Sequence, residues 1–231
     1  MGKGVEMKLS PIGLICFAAL VALVGCGQGP DAQDTTQTTS ALTSIFNAGR
    51  HPSQSSADPA AEANLRAALE KARQPIYRVS IASRSYATLM APYGMNQGVQ
   101  TWASTSYETI SLRDGVLVAT RGFGSDLMGA AAPALAQISK PNQQFARIYT
   151  FLDGADQTQH FDYTCTTAAG PSETVVILGK SYPARQIVET CDSATGSITN
   201  RYWFDAAGNL RQSDQFWAPG QSVMRMQHVL D

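Results

Sequence analysis

From Ile76 to the end of the chain, apolar and polar side chains alternate with a period of two, and this pattern restricts the fold more than any other. Val79 and Ile81 alternate with Arg78 and Ser80. Ile110 and Leu112 alternate with Thr109 and Ser111, and Ile148 and Leu152 share a face opposite Arg147, Tyr149 and Phe151. Successive side chains of a strand point to opposite faces, so these runs read as half-buried strands. Similar runs lie at 86–90, 99–104, 116–120, 158–166, 174–178, 184–191, 198–205, 210–217 and 223–230. Turn chemistry separates them: Asp114-Gly115, Asp153-Gly154, Gly170-Pro171, Gly179, Gly196, Gly208-Asn209 and Pro219-Gly220. About eleven short strands without alternating helices predict one antiparallel all-β domain over residues 60–231. That length suffices for a core of its own.

Two segments break the pattern. Residues 60–73 are strong helix formers, with Asp58-Pro59 as cap and first turn, Ala61, Leu65, Leu69 and Ala72 at helical spacing, and Pro75 as stop. The apolar stripe is narrow, so this helix should lie on a surface and not inside a core. In residues 125–138, Ser125 or Asp126 can cap a run containing Leu127, Met128, Ala131, Leu135 and Ile138, interrupted by Pro133. Two short helical pieces filling a curved sheet are expected there.

Upstream, the start is Met1 or Met7, followed by Lys3 and Lys8, the apolar run from Ile12 to Val24, and Leu23-Val24-Gly25-Cys26. Residues 1–25 have the order of a signal peptide. The run is shorter than the roughly twenty residues a spanning helix needs. Leu, a small or branched residue, Gly and then Cys is a lipobox, so Cys26 is expected to be cleaved and lipidated. Gly27, in place of Asp, favours sorting to the outer membrane, with the chain on its periplasmic face. Residues 26–59 would be the lipidated start and a polar tether, too poor in large apolar residues to bury a core.

Of four cysteines, Cys16 leaves with the signal and Cys26 is acylated. Cys165 and Cys191 then read as one disulfide in an oxidising compartment, with a pair of buried free thiols as the alternative. Charge is nearly balanced, 17 Lys+Arg against 18 Asp+Glu without any basic run, which leaves no nucleic-acid footprint. There is no nucleophile elbow, paired-histidine metal signature or phosphate loop, so no catalytic residue, metal or cofactor is assigned. The polar patch of Asp153, Asp156, His160 and Asp162 fits no calcium-loop spacing and reads as a solvated hairpin. The richest segment is 200–217. Asn200, Tyr202 and Phe204 fall on one face, Arg201, Trp203 and Asp205 on the other, and across the hairpin Arg211, Ser213, Gln215 and Trp217 share a face. Arg201, Trp203, Arg211, Gln215 and Trp217 are therefore candidate glycan or partner contacts, since sugar rings stack on aromatics and their hydroxyls need planar donors and acceptors. The same alternation also reads as cross-strand pairs that hold the sheet.

Residues Asn200 to Asp205, with Gly208 and then Arg211 to Gln215, resemble the C-terminal signature of the GfcB/YjbF (YmcC) lipoproteins of group 4 capsule and exopolysaccharide production. Residues Leu112 to Leu127 are similar to that family's central motif, and Glu189-Thr190-Cys191 to a strand end. The resemblance implies a strongly curved antiparallel sheet, like an open barrel, with short helices in its concavity. It also implies an accessory, non-enzymatic part in polysaccharide production or secretion, beside a periplasmic partner and an outer-membrane β-barrel protein. It brings no catalytic residues.

Two other functions remain open at this level. A lipid or lipoprotein carrier could line an acyl-binding trough with Met90, Met95, Met128, Met224 and Met226, although methionine is also a common core filler. A glycan-modifying enzyme would need Glu108 and Asp114, or Asp162 and Glu189, to converge at a catalytic separation.

Overall fold

The computed structural model describes residues 58–230, so the signal segment, Cys26 and the tether lie outside the described residues. Helix α1 (Pro59–Ala72) starts where the sequence caps it. The Asp58 carboxylate accepts the Ala60 N–H at 3.0 Å, and Pro59 sits in the first turn, where its missing N–H costs nothing. Arg73 ends the helix in the left-handed region at φ 52°. Twelve strands follow, one more than the approximate sequence count. They are β1 (Ile76–Ile81), β2 (Tyr86–Asn96), β3 (Val99–Ala103), β4 (Thr109–Arg113), β5 (Val116–Arg121), β6 (Gly129–Ala131), β7 (Gln144–Leu152), β8 (Thr158–Ile177), β9 (Lys180–Ser193), β10 (Gly196–Asp205), β11 (Leu210–Gln215) and β12 (Met224–Leu230), with helix α2 (Leu135–Ile138) between β6 and β7.

All twelve belong to one sheet in the order β5-β4-β3-β2-β1-β12-β11-β10-β9-β8-β7-β6, and the paired neighbours are antiparallel. Twist brings the edge strands β5 and β6 together. The Thr120 N–H donates to the Leu127 carbonyl at 2.9 Å and the Met128 N–H to the Thr150 carbonyl at 2.9 Å, so residues 122–128 strap a nearly closed barrel. That strap replaces the first of the two expected helical pieces. Asp126, read as a helix cap, turns back instead: its carboxylate accepts the Gly122 and Phe123 N–H groups and the Thr120 hydroxyl. Beyond it, Gly129–Ala131 completes the sheet against β7, and only four residues form α2.

The barrel interior holds an aromatic and aliphatic core that includes Tyr77, Val79, Met90, Trp102, Phe123, Leu127, Trp217, Met224 and Met226. A smaller cluster of Val116, Ile138, Ile187, Tyr202 and Phe204 packs α2 against the sheet. Burial of this kind, at about 25 cal/mol per Å² of apolar surface, is the main favourable term in the fold. Cys165 and Cys191 face one another across β8 and β9 and are joined by a disulfide, as expected. Replacing both by alanine should lower stability by roughly 3–4 kcal/mol, on the entropy of opening a loop of about 27 residues. Urea unfolding measures this, and an unchanged midpoint would show that the bridge contributes nothing.

A second layer lies on the outer face. The runs 158–166 and 174–178, read as separate strands, are one strand interrupted by an irregularity between Ala169 and Ser172. β7 pairs with β8 only as far as Thr166, so Pro171 sits where no ladder N–H is needed. Past this point the β8–β9 arm folds over the outside of the sheet. Val175, Ile177, Tyr182 and Ala184 pack with Leu69 of α1 and with Leu89, Trp203 and Val229 of the sheet. Arg66 fastens the layer, its guanidinium donating to the carbonyls of Ile177 (2.6 Å), Leu178 (2.9 Å) and Val229 (3.1 Å). Arg66→Met keeps the aliphatic stem but leaves three buried carbonyls unmet. About 2–3 kcal/mol should be lost, with faster amide exchange confined to the arm tip around Gly179. Uniform exchange across the barrel would contradict this role.

Candidate functional site

The most connected polar cluster is inside the barrel, on strands β7, β9 and β10. Alternation on β9 puts Glu189 on the same inward face as Cys191, and on β10 it puts Asn200 and Tyr202 there too. Arg147 reaches over β8 to Glu189 with two parallel bonds, Nε to Oε1 at 2.7 Å and Nη2 to Oε2 at 3.1 Å. Glu189 Oε2 also accepts the Asn200 amide at 2.8 Å and the Tyr202 hydroxyl at 2.9 Å. Asn200 Oδ1 accepts the Phe216 N–H at 2.7 Å, which ties the network to the segment after β11. Arg147 and Glu189 are buried to 1% and 0% side-chain exposure. Burial by itself would lower the Arg147 pKa, but the surrounding Tyr202, Tyr149 and Glu189 oxygens hold it above its ordinary value. Burial raises Tyr202 well above its usual range and raises Tyr149 as well, so both hydroxyls stay neutral.

The sequence reading missed this cluster. Ile148 and Leu152 are the solvent-side residues of β7, while Arg147, Tyr149 and Phe151 point inward. The signal that could have found it is Glu189 at two positions from a buried cysteine on a strand, which demands a cation across the interior.

The five candidate contact residues are not brought together on one surface. Arg201 is exposed, whereas the other four are buried. Trp203 donates its indole N–H to Glu173 on the outer face. Arg211 donates to Asp205 at 2.7 Å and lies over the Tyr182 ring. This pair lowers the Asp205 pKa against the opposing effect of burial, so it adds stability that fades as pH falls through that lowered value. Gln215 faces inward: its Oε1 accepts the Leu117 N–H at 2.9 Å and its Nε2 donates to the Gly115 carbonyl at 2.9 Å. Trp217 donates to the Ser222 carbonyl at 2.9 Å and packs against Phe123. Four of the five thus serve as internal ties, in line with the cross-strand alternative, and they do not form one open platform. Gln215 joins β11 to the Asp114-Gly115 turn, so the two sequence blocks 112–127 and 200–215 meet in space. At Gly115, φ is +87°, a conformation that side chains with a Cβ rarely adopt, so glycine is favoured there.

The remaining candidates resolve individually. Asp162 is exposed while Glu189 faces inward, so that carboxylate pair does not converge. Glu108 bonds the Ser104 hydroxyl, and all of β4 separates it from Asp114, roughly 20 Å along the strand. Asp153 accepts backbone N–H groups from Gln157 and Ala155, which lower its pKa, and His160 contacts Thr150 at 3.1 Å in a solvated hairpin. Cys165, Glu189 and Cys191 lie within metal-binding reach, but both sulfurs are in the disulfide and Glu189 is occupied by Arg147. Met90, Met224 and Met226 are core residues, while Met95 is exposed on the β2–β3 hairpin, so the five methionines do not line one trough. Among the described residues, no helix is long and apolar enough to cross a membrane.

Together these features define a single-sheet, barrel-like β protein whose interior is filled by its own side chains. The solved structure of the hypothetical lipoprotein YmcC from Escherichia coli K12 has this fold, with a TM-score of 0.66 at 15% identity over 85% of this chain and 96% of that one. The chain belongs to the family described as group 4 capsule polysaccharide lipoprotein gfcB, YjbF, whose model matches residues 41–229. The lipoprotein YjbF of Escherichia coli K12 is 28% identical over 130 residues, 52% of this chain. The chain spans 58% of the length of that relative.

Proposed function

We propose that this chain is an envelope lipoprotein, anchored through an acylated Cys26 at the periplasmic face of the outer membrane, that assists surface polysaccharide production or secretion without catalysing a reaction. The observation that carries this reading is the family match across 41–229, behind a lipobox. The charged groups inside the barrel are spent on one another, which suits a rigid scaffold for partners better than a reaction centre. Its partners would be a periplasmic export component and an outer-membrane β-barrel protein. Deleting the gene should change the amount, length or location of surface polysaccharide, read by extraction and gel analysis of the glycan. An unaltered glycan would defeat the proposal.

A further inference from the structure

The β8–β9 arm and the outer face of the sheet enclose a groove of about 270 Å³. Its floor is a row of directly paired residues, Trp203, Gln212 and Gln227 on β10, β11 and β12, with Arg225 beside them. Its wall runs from Glu173 to Val176 of the arm. The polar groups here are held in place but only half used. Gln227 Nε2 donates to Gln212 Oε1 at 2.8 Å, which leaves Gln212 Nε2 as a donor and Gln227 Oε1 as an acceptor without partners among the described residues. Both residues are more than nine-tenths buried. Glu173 Oε1 takes the Trp203 and Gln186 N–H groups, which leaves Oε2 open. Arg225 spends Nε and Nη2 on Asp214 at 2.7 Å each, which leaves Nη1 open. Val176, 54% exposed, supplies an apolar rim.

We propose that this groove is a saccharide-binding site that takes one uncharged sugar ring of a hydroxyl-rich glycan. The inference rests on the polysaccharide reading above and adds a location to it. A sugar hydroxyl both donates and accepts, so it matches fixed donors alternating with fixed acceptors, and the ring's C–H face suits Val176. A phosphate is disfavoured, because two carboxylates stand against one guanidinium. An acyl chain is disfavoured because it would cover the open amide groups without satisfying them.

The test is NMR of the full ¹⁵N-labelled chain in detergent, titrated with galactose, glucose, N-acetylglucosamine and short oligosaccharides of each. Saturable shifts are expected in the Gln212 and Gln227 side-chain amides and the Trp203 indole. Val176→Trp fills the groove and should abolish them. Glu173→Gln, which keeps the acceptor for Trp203 but turns the open oxygen into a donor, should weaken binding about tenfold. If Val176→Trp fails to give the parent's dispersed spectrum, Glu173→Gln decides. No saturable shift with any sugar, or shifts that persist unchanged in the variants, overturns the site. A cell experiment separates this outcome from failure of the broader reading. A deletion strain with unaltered polysaccharide removes the polysaccharide reading, and with it the glycan named for the groove. Full restoration by the Val176→Trp chain removes the groove alone.

Discussion

Replacing Glu189 by leucine should destabilise the barrel by about 3–5 kcal/mol, because the Arg147 guanidinium is then left buried without its countercharge. The size follows from the surroundings. Arg147 and Glu189 are almost wholly inaccessible, and Nη1 of Arg147 has no hydrogen-bond partner among the described residues even with Glu189 present. The Tyr202 hydroxyl, at 2.9 Å from Nη2, and the Tyr149 ring, with its centroid 5.7 Å from the guanidinium carbon, would remain to solvate the charge. Arg147→Met should be as damaging from the other side, since it strands a carboxylate held only by Asn200 and Tyr202. The double variant Arg147→Met with Glu189→Leu should be far more stable than the sum of the single losses, because neither stranded charge remains. Urea denaturation of the four proteins closes the cycle. If either single variant loses less than about 1 kcal/mol, the cluster is not the buried ion pair described, and water must reach it.

The same cluster shows why only part of this molecule can be read from local pattern. The strands were legible because alternation and turn chemistry are local, and the Cys165–Cys191 pairing followed from counting thiols. The inward face of β7 was not. Ile148 and Leu152 are more hydrophobic than Arg147 and Tyr149, and the reason the latter pair turns inward is a carboxylate 42 positions away. β11 makes the point more sharply. Arg211 to Gln215 contains no apolar residue, yet all five are buried, because the β8–β9 arm covers one face while the barrel interior covers the other. A polar strand buried on both faces is stable only if each group finds a partner. Gln212 meets Gln227, Ser213 meets Gln215, Asp214 meets Arg225, and Gln215 meets Leu117 and Gly115. Sequence reading offered Arg211 and Gln215 both as glycan or partner contacts and as cross-strand pairs, and the β8–β9 arm that covers the outer face of the strand was concealed by Gly170-Pro171, which looked like a turn between strands.

That burial also bears on how the chain could act. With the interior spent on internal ties, contact with other molecules is left to the outer surface and to the groove beneath the arm. On the reading proposed above, position relative to a membrane then matters more than a reactive group. On that same reading, Cys26 supplies that position, and its replacement should have the largest effect of any single substitution. Cys26→Ser should move the protein almost completely from the membrane fraction to the soluble one. Each methylene of an acyl chain contributes about 0.8 kcal/mol of membrane affinity, so two or more chains hold a protein that polar residues alone would release. Among the described residues, no helix is long and apolar enough to cross a membrane. Radioactive palmitate should label the parent and not the variant, and the disulfide should form in both, since Cys165 and Cys191 depend on export and not on acylation. A Cys26→Ser chain that stays with the membrane and still takes up label would place the anchor elsewhere and remove the basis of the localisation. If the variant is soluble, folded and disulfide-bonded yet restores the polysaccharide of a deletion strain, then tethering is dispensable. The surfaces of the barrel would then have to account for the function alone.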